Sequence, residues 1–427
     1  MLTDEVGGLE EAREALARER LEELQALART YRNWSVKELA HALGRQPGRL
    51  VPDSGMPKID LVVGLAKALD WPVEAVVDHL MKPAAGTRRA VVQQDAPADY
   101  ARLYNESLAK RLERDLTEAV RLAVRAGAIA DTPTRRAAAL VVEAQAHEAG
   151  GSYVEAVRCL REASRIQGIA LDWRLVCDAN LANMLFMQGQ GTHALGIAAT
   201  VLDYVATMKP TPVIEWAKAQ ASWARGHAIR ASIPTEHCAA WRPLAENARE
   251  DIRRVVDVTS ELLAAAGGSQ IHYGSMRASA GAVLLELDAL CDPERASDCI
   301  KAQLEIVREH GDLTPSIGER KAWAAVGLAN SAKRFINDEM QRRGVLEIAS
   351  ATLRAHAVAT SNWYFAHQHL ELDAARRRQL AGNGVASRAL DAVEAKLVAG
   401  VLGQIPAARQ DAGEFLALYG AREGGRP

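Results

Sequence analysis

The feature that most constrains the fold is an unbroken succession of helical patterns from about residue 100 to residue 420. Short Gly, Pro or Asp breaks interrupt these patterns, and the strict alternation of apolar and polar residues that marks a strand is absent. Alanine, leucine, valine and arginine dominate the chain, and aromatic residues make up only 5% of it, which favours helices over sheets. The sequence therefore predicts an all-α protein.

Charge and cysteine content exclude several classes of protein. The 427 residues include 52 Lys plus Arg and 54 Asp plus Glu, so a contact with nucleic acid or a membrane needs a local patch. No apolar run approaches the roughly 18 residues of a membrane helix, and the charged N-terminus has no apolar signal core. The five cysteines are irregularly spaced without a CxxC pair, and they indicate neither a disulfide framework nor a zinc site. We predict a cytoplasmic protein without a membrane segment, metal or cofactor.

Small residues recur in the helical region at a spacing near that of a helical-hairpin repeat. Residues 143–164 (EAQAHEAGGSYVEAVRCLREAS) place Gly151 at a turn between two helical segments, and Ala194 follows Ala156 by 38 residues. This segment resembles the tetratricopeptide pattern. Similar forms follow at residues 179–202 and 285–307.

The tripeptide Leu-Ala-Asn occurs at residues 181–183 and again at 328–330, an offset of 147 residues. This offset is close to four repeats of about 37 residues each. The resemblance implies a solenoid of stacked helical hairpins over residues 100–420, because no single hairpin can bury its own apolar face. The alternative is an irregular Ala-rich helical domain without true repeats.

Residues 1–82 form a separate predicted module. Residues 9–32 predict an amphipathic helix, and residues 35–81 predict three or four shorter helices broken by Pro and Gly. The apolar period is lost over residues 83–99, which gather Pro, Gly and Ala. We interpret this stretch as a linker between the module and the helical repeats.

Within the module, residues 35–44 (SVKELAHALG) predict a helix with Ser35 as N-cap, Glu38 completing a capping box and Gly44 at its end. This segment resembles the first half of the helix-turn-helix in phage-repressor (Cro-type, XRE-like) DNA-binding domains. The later segment PKIDLVVGLAKALDWPVEAVVDHL resembles the helices that follow the recognition helix in that family. The resemblance covers residues 30–81 and implies DNA binding through the major groove.

The segment that should form the recognition helix departs from this family. RQPGRLVPDSGM, which follows Gly44, contains two prolines and two glycines. In a helix interior each proline costs about 3 kcal/mol and each glycine about 1 kcal/mol. The sequence therefore predicts at most one helical turn, near Gln46–Val51.

Local charge in the module favours DNA contact. Residues 29–67 hold seven basic side chains against three acidic ones, an excess sufficient for several phosphate contacts. The alternative is a helix-turn-helix fold retained only for packing or protein contact, with solvated basic residues. The predicted DNA-binding residues are Lys37, Arg45, Gln46, Arg49 and Lys58.

The sequence offers no set of catalytic residues. It lacks a GxxxxGK[ST] phosphate loop and an HExxH motif. The match to GxGxx[GA] at residues 189–194 follows a helical segment rather than a strand, so a repeat turn explains it. We predict that the protein is not an enzyme.

Asparagines on the predicted first helices of the repeats suggest a ligand groove. Asn180 and Asn183 are three residues apart on one such helix, and Asn330 holds the matching place in a later one. First helices line the concave face of a solenoid, where carboxamides can bond both N–H and C=O groups of an extended peptide. Alternatively, these side chains cap turns or bridge neighbouring helices. The predicted ligand-binding residues are Arg174, Asn180, Asn183, Arg225 and Asn330.

The layout resembles bacterial transcription regulators that sense peptides through such solenoids. In that group the repeat domain commonly dimerises, which suits a two-fold DNA site. The resemblance implies a DNA-binding transcriptional regulator with double-stranded DNA and a peptide or protein ligand as partners, acting as a homodimer. The alternative is a non-DNA-binding scaffold or adaptor that acts through its helical repeats.

Overall fold

The protein is helical throughout the part of the chain that the structure describes. This structure is a computed structural model that describes residues 17–409, except for residues 19, 23, 27, 30, 31, 33, 53–56, 70–72, 74, 75, 78, 79, 81–96, 235–240, 267–270, 310–314 and 383–390. The described residues form α-helices and three short 3-10 turns and contain no β-strand. The predicted all-α class is confirmed.

The chain divides into two compact units, Met1–Gln93 and Gln94–Pro427. The division lies within the predicted linker 83–99. Most of that stretch is outside the described residues, but its last three residues belong to a helix that begins at Pro97. The helical region of the second unit therefore starts three residues earlier than the predicted residue 100.

The N-terminal unit consists of short helices around a small apolar core. It contains helix α1 (Val36–Ala42), a 3-10 turn (Pro47–Arg49) and helix α2 (Ile59–Leu69). The described residues between 17 and 32, and between 73 and 80, are also helical. The core is made of leucines and small apolar residues that include Leu21, Leu24, Leu39, Leu61 and Leu65, all of them fully buried.

Both ends of α1 follow the sequence pattern. The Ser35 hydroxyl accepts a hydrogen bond from the Glu38 N–H at 3.3 Å, and the Ser35 N–H donates to Glu38 Oε2 at 2.7 Å. After the helix, Gly44 has a φ of +63°, a left-handed conformation that residues with a Cβ seldom adopt. The predicted capping box and terminal glycine are confirmed.

The second unit is a stack of helical hairpins. Among its described residues we number fourteen further helices: α3 (Pro97–Leu112), α4 (Leu116–Ile129), α5 (Pro133–Ala149), α6 (Tyr153–Arg165), α7 (Leu171–Met187), α8 (Gly191–Val205), α9 (Pro212–Ser232), α10 (Arg242–Ala265), α11 (Ile271–Cys291), α12 (Ala296–Arg308), α13 (Pro315–Phe335), α14 (Glu339–Thr360), α15 (Trp363–Gly382) and α16 (Ala392–Gln404). Each odd-numbered helix packs on the next even-numbered one, and neighbouring hairpins pack on each other. The predicted hairpin solenoid is confirmed.

First and second helices of the hairpins differ in how they are buried, as α6 of the hairpin α5/α6 and α7 of the hairpin α7/α8 show. Helix α6 buries a single stripe of residues, as an amphipathic outer helix does. Helix α7 buries residues on nearly all sides, because it contacts both its hairpin partner and the next first helix, α9. Gly151 and Gly189 lie in the turns of these two hairpins with φ values of +77° and +76°. Helices α7, α9, α11 and α13, which are buried in this way, thus form an inner layer.

The last hairpin folds back onto the turns of the early ones. Trp363 Nε1 donates to the Gly151 carbonyl at 2.7 Å, and the Tyr153 hydroxyl donates to Asn362 Oδ1 at 2.9 Å. The Val154 N–H donates to Gln404 Oε1 at 3.2 Å. These bonds join residues more than 200 positions apart, so they close the stack on itself.

None of the helices that the structure describes is long and apolar enough to cross a membrane.

Candidate functional site

Four of the five predicted DNA-binding residues are exposed on the N-terminal unit. These four are Lys37, Gln46, Arg49 and Lys58. Lys37 lies in the first turn of α1, Arg49 ends the 3-10 turn, and Lys58 directly precedes α2. Exposed cations at the ends of short helices are free to reach phosphate groups.

Arg45 is placed differently from the other four. Its Nη2 donates to Asp60 Oδ2 at 2.8 Å, and its side chain is 21% exposed. The hydrogen bond from Arg45 lowers the pKa of the Asp60 carboxyl. Arg45 therefore ties the turn after α1 to the start of α2, rather than extending into solvent as expected from the sequence.

The predicted loss of the recognition helix is confirmed in the described residues. A single 3-10 turn, Pro47–Arg49, stands where that helix would begin. A hydrogen bond fixes the end of this turn, because Gln25 Nε2 donates to the carbonyl of Leu50, the next residue, at 2.8 Å. Residues 53–56, the last four of the segment RQPGRLVPDSGM that departs from the family pattern, lie outside the described residues.

A shallow cleft of about 320 Å³ lies beside this turn. Its walls combine apolar and polar surface in similar measure, and charged side chains stand among them. The apolar residues include Val36, Leu39, Leu50 and Val51, and the charged ones are Glu22 and Arg29. The N-terminal unit therefore carries a groove beside the turn that stands in place of a recognition helix.

Two of the predicted ligand-binding residues, Arg174 and Asn180, lie on α7. Their side chains bond backbone carbonyls near the end of α6 and within α7, respectively. Arg174 Nη2 donates to the Ile166 carbonyl at 2.8 Å and Nη1 donates to the Ser164 carbonyl, so the guanidinium satisfies the end of α6. Asn180 is only 7% exposed, and its Nδ2 donates to the Val176 carbonyl of its own helix at 2.8 Å. The expectation of an exposed Asn180 carboxamide is wrong, because α7 is buried on nearly all sides.

Two further predicted residues are bound to acidic partners on neighbouring helices. Arg225 donates two hydrogen bonds to Asp251, at 2.8 and 2.6 Å, and Asp251 is 1% exposed. Asn330 Nδ2 donates to Glu286 Oε1 at 3.0 Å. The alternative that these asparagines bridge neighbouring helices thus describes Asn330, which links α13 to α11.

Asn183 is the remaining predicted residue, and it is partly buried. Its Oδ1 is a buried atom without a hydrogen-bond partner among the described residues. No described contact joins any two of the five predicted ligand-binding residues. The structure therefore does not gather them into one groove, and their ligand-binding role stays a prediction.

A buried ionic cluster, which sequence reasoning missed, joins three inner helices. Glu286 of α11 is completely buried, and Arg230 of α9 donates to its Oε2 at 2.6 Å. Arg334 and Asn330 of α13 donate to its Oε1, each at 3.0 Å. The sequence signal was Glu286, one of two acidic residues within the otherwise apolar run VLLELDALC. We call these four residues the Glu286 cluster.

An aromatic cluster lies directly beside the Glu286 cluster. It contains Phe186, Trp223, His227, Trp323, Tyr364 and Phe365. The Arg230 guanidinium carbon lies 5.5 Å from the centroid of the Trp323 ring, and its Nη2 donates to the Tyr364 hydroxyl at 3.5 Å. These contacts pack side chains of α7, α9, α13 and α15 against one another in a single buried cluster.

His227 is the polar member of the aromatic cluster. Its ring lies 4.1 Å from Trp223 and 4.1 Å from Trp323, and neither ring nitrogen has a hydrogen-bond partner among the described residues. Burial, with a smaller contribution from Arg230, lowers the pKa of His227 well below its usual value. The imidazole is therefore neutral at physiological pH and packs as an aromatic ring.

One group of described residues could hold a metal ion. Glu143 and His147 of α5 and Cys159 of α6 bring one potential ligand atom each to within 4.8 Å of one another. Cysteine spacing gave no hint of this group. The Glu143 and His147 pair, four residues apart on one helix, was the available sequence signal.

Comparisons with known proteins give no family for the chain. No family model and no curated protein matches it. A crystal structure of a Rap protein complexed with competence and sporulation factor aligns with a TM-score of 0.43 and 14% identity, covering 93% of this chain and 99% of that one. A crystal structure of Bacillus thuringiensis PlcR in complex with the peptide PapR7 and DNA aligns with a TM-score of 0.32 and 11% identity, covering 81% and 99%.

Proposed function

We propose that the protein is a non-enzymatic, DNA-binding transcriptional regulator. The observation that carries this proposal is a set of three exposed cations around α1 and the turn that follows it. They are Lys37, Arg49 and Lys58, and no anionic partner of any of them is described.

Association with DNA requires exposed basic side chains that are not already paired with a protein carboxylate. Each Lys or Arg that neutralises a phosphate releases condensed counterions, and this release drives the binding. Because Arg45 is held by Asp60, we expect Lys37, Arg49 and Lys58 to supply the phosphate contacts. With a 3-10 turn in place of the recognition helix, backbone contacts contribute more to affinity than base contacts do.

The hairpin stack is the proposed ligand-binding and dimerising part of the regulator. Stacked hairpins present extended surfaces that suit a peptide or a protein segment. Four of the five predicted groove residues are occupied by contacts within the stack, so this part of the proposal rests on the architecture. Light scattering of the full chain with and without duplex DNA tests the expected two-fold assembly.

The DNA-binding prediction concerns a double variant, Arg49→Ala with Lys58→Ala. We expect weaker binding to duplex DNA and a smaller dependence of affinity on salt. The slope of log affinity against log salt should fall by about 0.9 for each lost phosphate contact. The measurement is a fluorescence-anisotropy titration of the full chain at several salt concentrations.

A matched control removes two cations from the hairpin stack. Lys301 and Arg343 have side chains that are 70% and 57% exposed, and each pairs with an acid on its own helix. The variant Lys301→Ala with Arg343→Ala should keep the wild-type salt slope. Equal losses in both variants, or no duplex binding by the unaltered chain at low salt, would contradict the proposal.

A second function, a scaffold or adaptor without DNA binding, is favoured by one observation. The turn Pro47–Arg49 replaces the recognition helix, and a partly apolar cleft lies beside it. A concave cleft that mixes aliphatic side chains with a few polar groups suits a protein segment better than a phosphate backbone. The titration described above separates the two functions, because a scaffold of this kind shows no salt-dependent binding to duplex DNA.

A further inference from the structure

Three side chains with metal-binding atoms converge within the hairpin formed by α5 and α6. Cys159 Sγ lies 3.3 Å from Glu143 Oε1, and His147 Nε2 lies 3.9 Å from the same oxygen. Glu143 and Cys159 are buried, whereas the side chain of His147 is 20% exposed. The group thus has two buried ligands and one that reaches the surface.

The spacing of these atoms suits a tetrahedral ion. Zinc binds cysteine sulfur at about 2.3 Å, histidine nitrogen at about 2.0–2.1 Å and carboxylate oxygen at about 2.0–2.2 Å. Tetrahedral angles then place neighbouring ligand atoms roughly 3.4–3.6 Å apart. The observed distances of 3.3 and 3.9 Å differ from this spacing by only a few tenths of an ångström. Thiolate, imidazole and carboxylate together are a donor set that zinc accepts.

The local charge also favours a cation. Arg158, on α6, is shared by three carboxylates: Glu155 at 2.6 Å, Glu162 at 3.4 Å and Glu143 at 3.6 Å. Its side chain is 40% exposed. Its Nη2 also donates to Cys159 Sγ at 3.5 Å. When an ion arrives, the guanidinium would leave Glu143 and Cys159. It would keep its contacts with Glu155 and Glu162 on α6.

We propose that Glu143, His147 and Cys159 bind one zinc ion, with the fourth position open to water. On binding, the Cys159 thiol releases its proton to solvent and the thiolate forms the sulfur–zinc bond. The hydrogen bond from Cys159 to Glu143 is lost, and the carboxylate binds the ion instead. The neutral imidazole of His147 contributes its Nε2 lone pair. The ion joins α5 to α6 and does not depend on DNA binding.

The experiment uses the untagged full-length chain, stripped of metal with a chelator under reducing conditions. Dialysis against zinc followed by elemental analysis should give one ion per chain. Cobalt, used as a spectroscopic substitute, should produce a thiolate-to-metal charge-transfer band. The variants His147→Gln and Cys159→Ser should each lower zinc affinity at least tenfold, and Cys159→Ser should abolish the band.

The matched control is Cys177→Ser, because Cys177 is likewise a buried free cysteine and is not part of the group. This variant should keep the ion and the band. If Cys159→Ser does not fold, as judged by circular dichroism, the zinc affinity of His147→Gln alone tests the proposed site. No stoichiometric zinc on the unaltered chain, full affinity in His147→Gln, or an equal loss in Cys177→Ser would each overturn the proposal.

The proposed site also predicts that one substitution raises zinc affinity, whereas the substitutions of the ligands lower it. Because the Arg158 guanidinium and the ion compete for Glu143, Arg158→Gln should raise zinc affinity severalfold. A fall in affinity would show that the guanidinium supports the site rather than competing for it.

Discussion

Replacing Glu286 by glutamine is expected to destabilise the hairpin stack by about 3–5 kcal/mol, since that is the usual cost of breaking a buried ion pair from one side. Glutamine keeps the shape of the side chain and one oxygen but removes its charge. Arg230 and Arg334, whose side chains are both 2% exposed, then lose their buried counter-ion. Chemical denaturation followed by near-ultraviolet circular dichroism measures the loss, because Trp323 of the aromatic cluster lies beside Arg230.

Two controls make this result specific. Asp298→Asn removes a carboxylate whose side chain is 82% exposed and whose partner is Lys301, and it should change stability by no more than about 0.5 kcal/mol. The double variant Arg230→Met with Glu286→Leu removes one cation together with the anion and should recover part of the loss. A loss below about 1 kcal/mol for Glu286→Gln would show that the two arginines find other partners.

Local features of the fold were predictable because their causes lie within a few residues of each other. Ser35 and Glu38 are three positions apart, so the capping box is visible in the sequence and is present in the structure. Gly151 and Gly189 lie at the turn positions that the repeat pattern predicted, and the structure gives both a positive φ. The two Leu-Ala-Asn tripeptides fall on α7 and α13, both first helices of hairpins, but these hairpins are three apart, and the predicted offset of four repeats of about 37 residues is wrong because the intervening hairpins are longer.

The candidate site was harder to predict because its contacts join distant residues. Arg225 meets Asp251 26 positions later, and Asn330 meets Glu286 44 positions earlier. Helical periodicity shows that such residues share a layer, but it does not show which neighbouring helix each one faces. A polar residue on an inner helix therefore has the same sequence signature whether it lines a groove or pairs within the core.

The N-terminal unit shows the limit of a resemblance. The segment SVKELAHALG folds into the expected capped helix, yet the residues after Gly44 form only a 3-10 turn. Proline and glycine explain this difference, since neither supports a helix interior. The pairing of Arg45 with Asp60 could not be predicted, because it depends on how the turn places α1 relative to α2.

Gly151→Ala is expected to release the contact between the last hairpin and the early ones, at a cost of about 2–5 kcal/mol. Two effects add. A left-handed φ, here +77°, costs a residue with a Cβ about 1–2 kcal/mol. The added Cβ would also meet the Ser361 carbonyl oxygen and lie 2.7 Å from Trp363 Nε1, so the overpacking costs a further 1–3 kcal/mol or so.

Gly168→Ala is the matched control, because it imposes the first cost without the second. Gly168 has a φ of +73°, but a Cβ there would meet only Pro133 Cγ at an ordinary 3.6 Å. We expect a loss of about 1–2 kcal/mol in this variant. The difference between the two alanine variants isolates the closing contact, which includes the bond from Trp363 Nε1 to the Gly151 carbonyl.

Hydrogen exchange shows where each variant loosens the chain. In Gly151→Ala the backbone amides of α15 and α16 should exchange faster than in the unaltered protein, because this hairpin is held by the bonds at Gly151, Tyr153 and Gln404. In Gly168→Ala the same amides should keep their protection. Equal stability losses with unchanged protection of α15 and α16 would mean that the stack does not depend on Gly151 for its closure. The contact of the last hairpin with the inner helices then rests on the aromatic cluster, in which Tyr364 and Phe365 of α15 pack on Trp323 of α13.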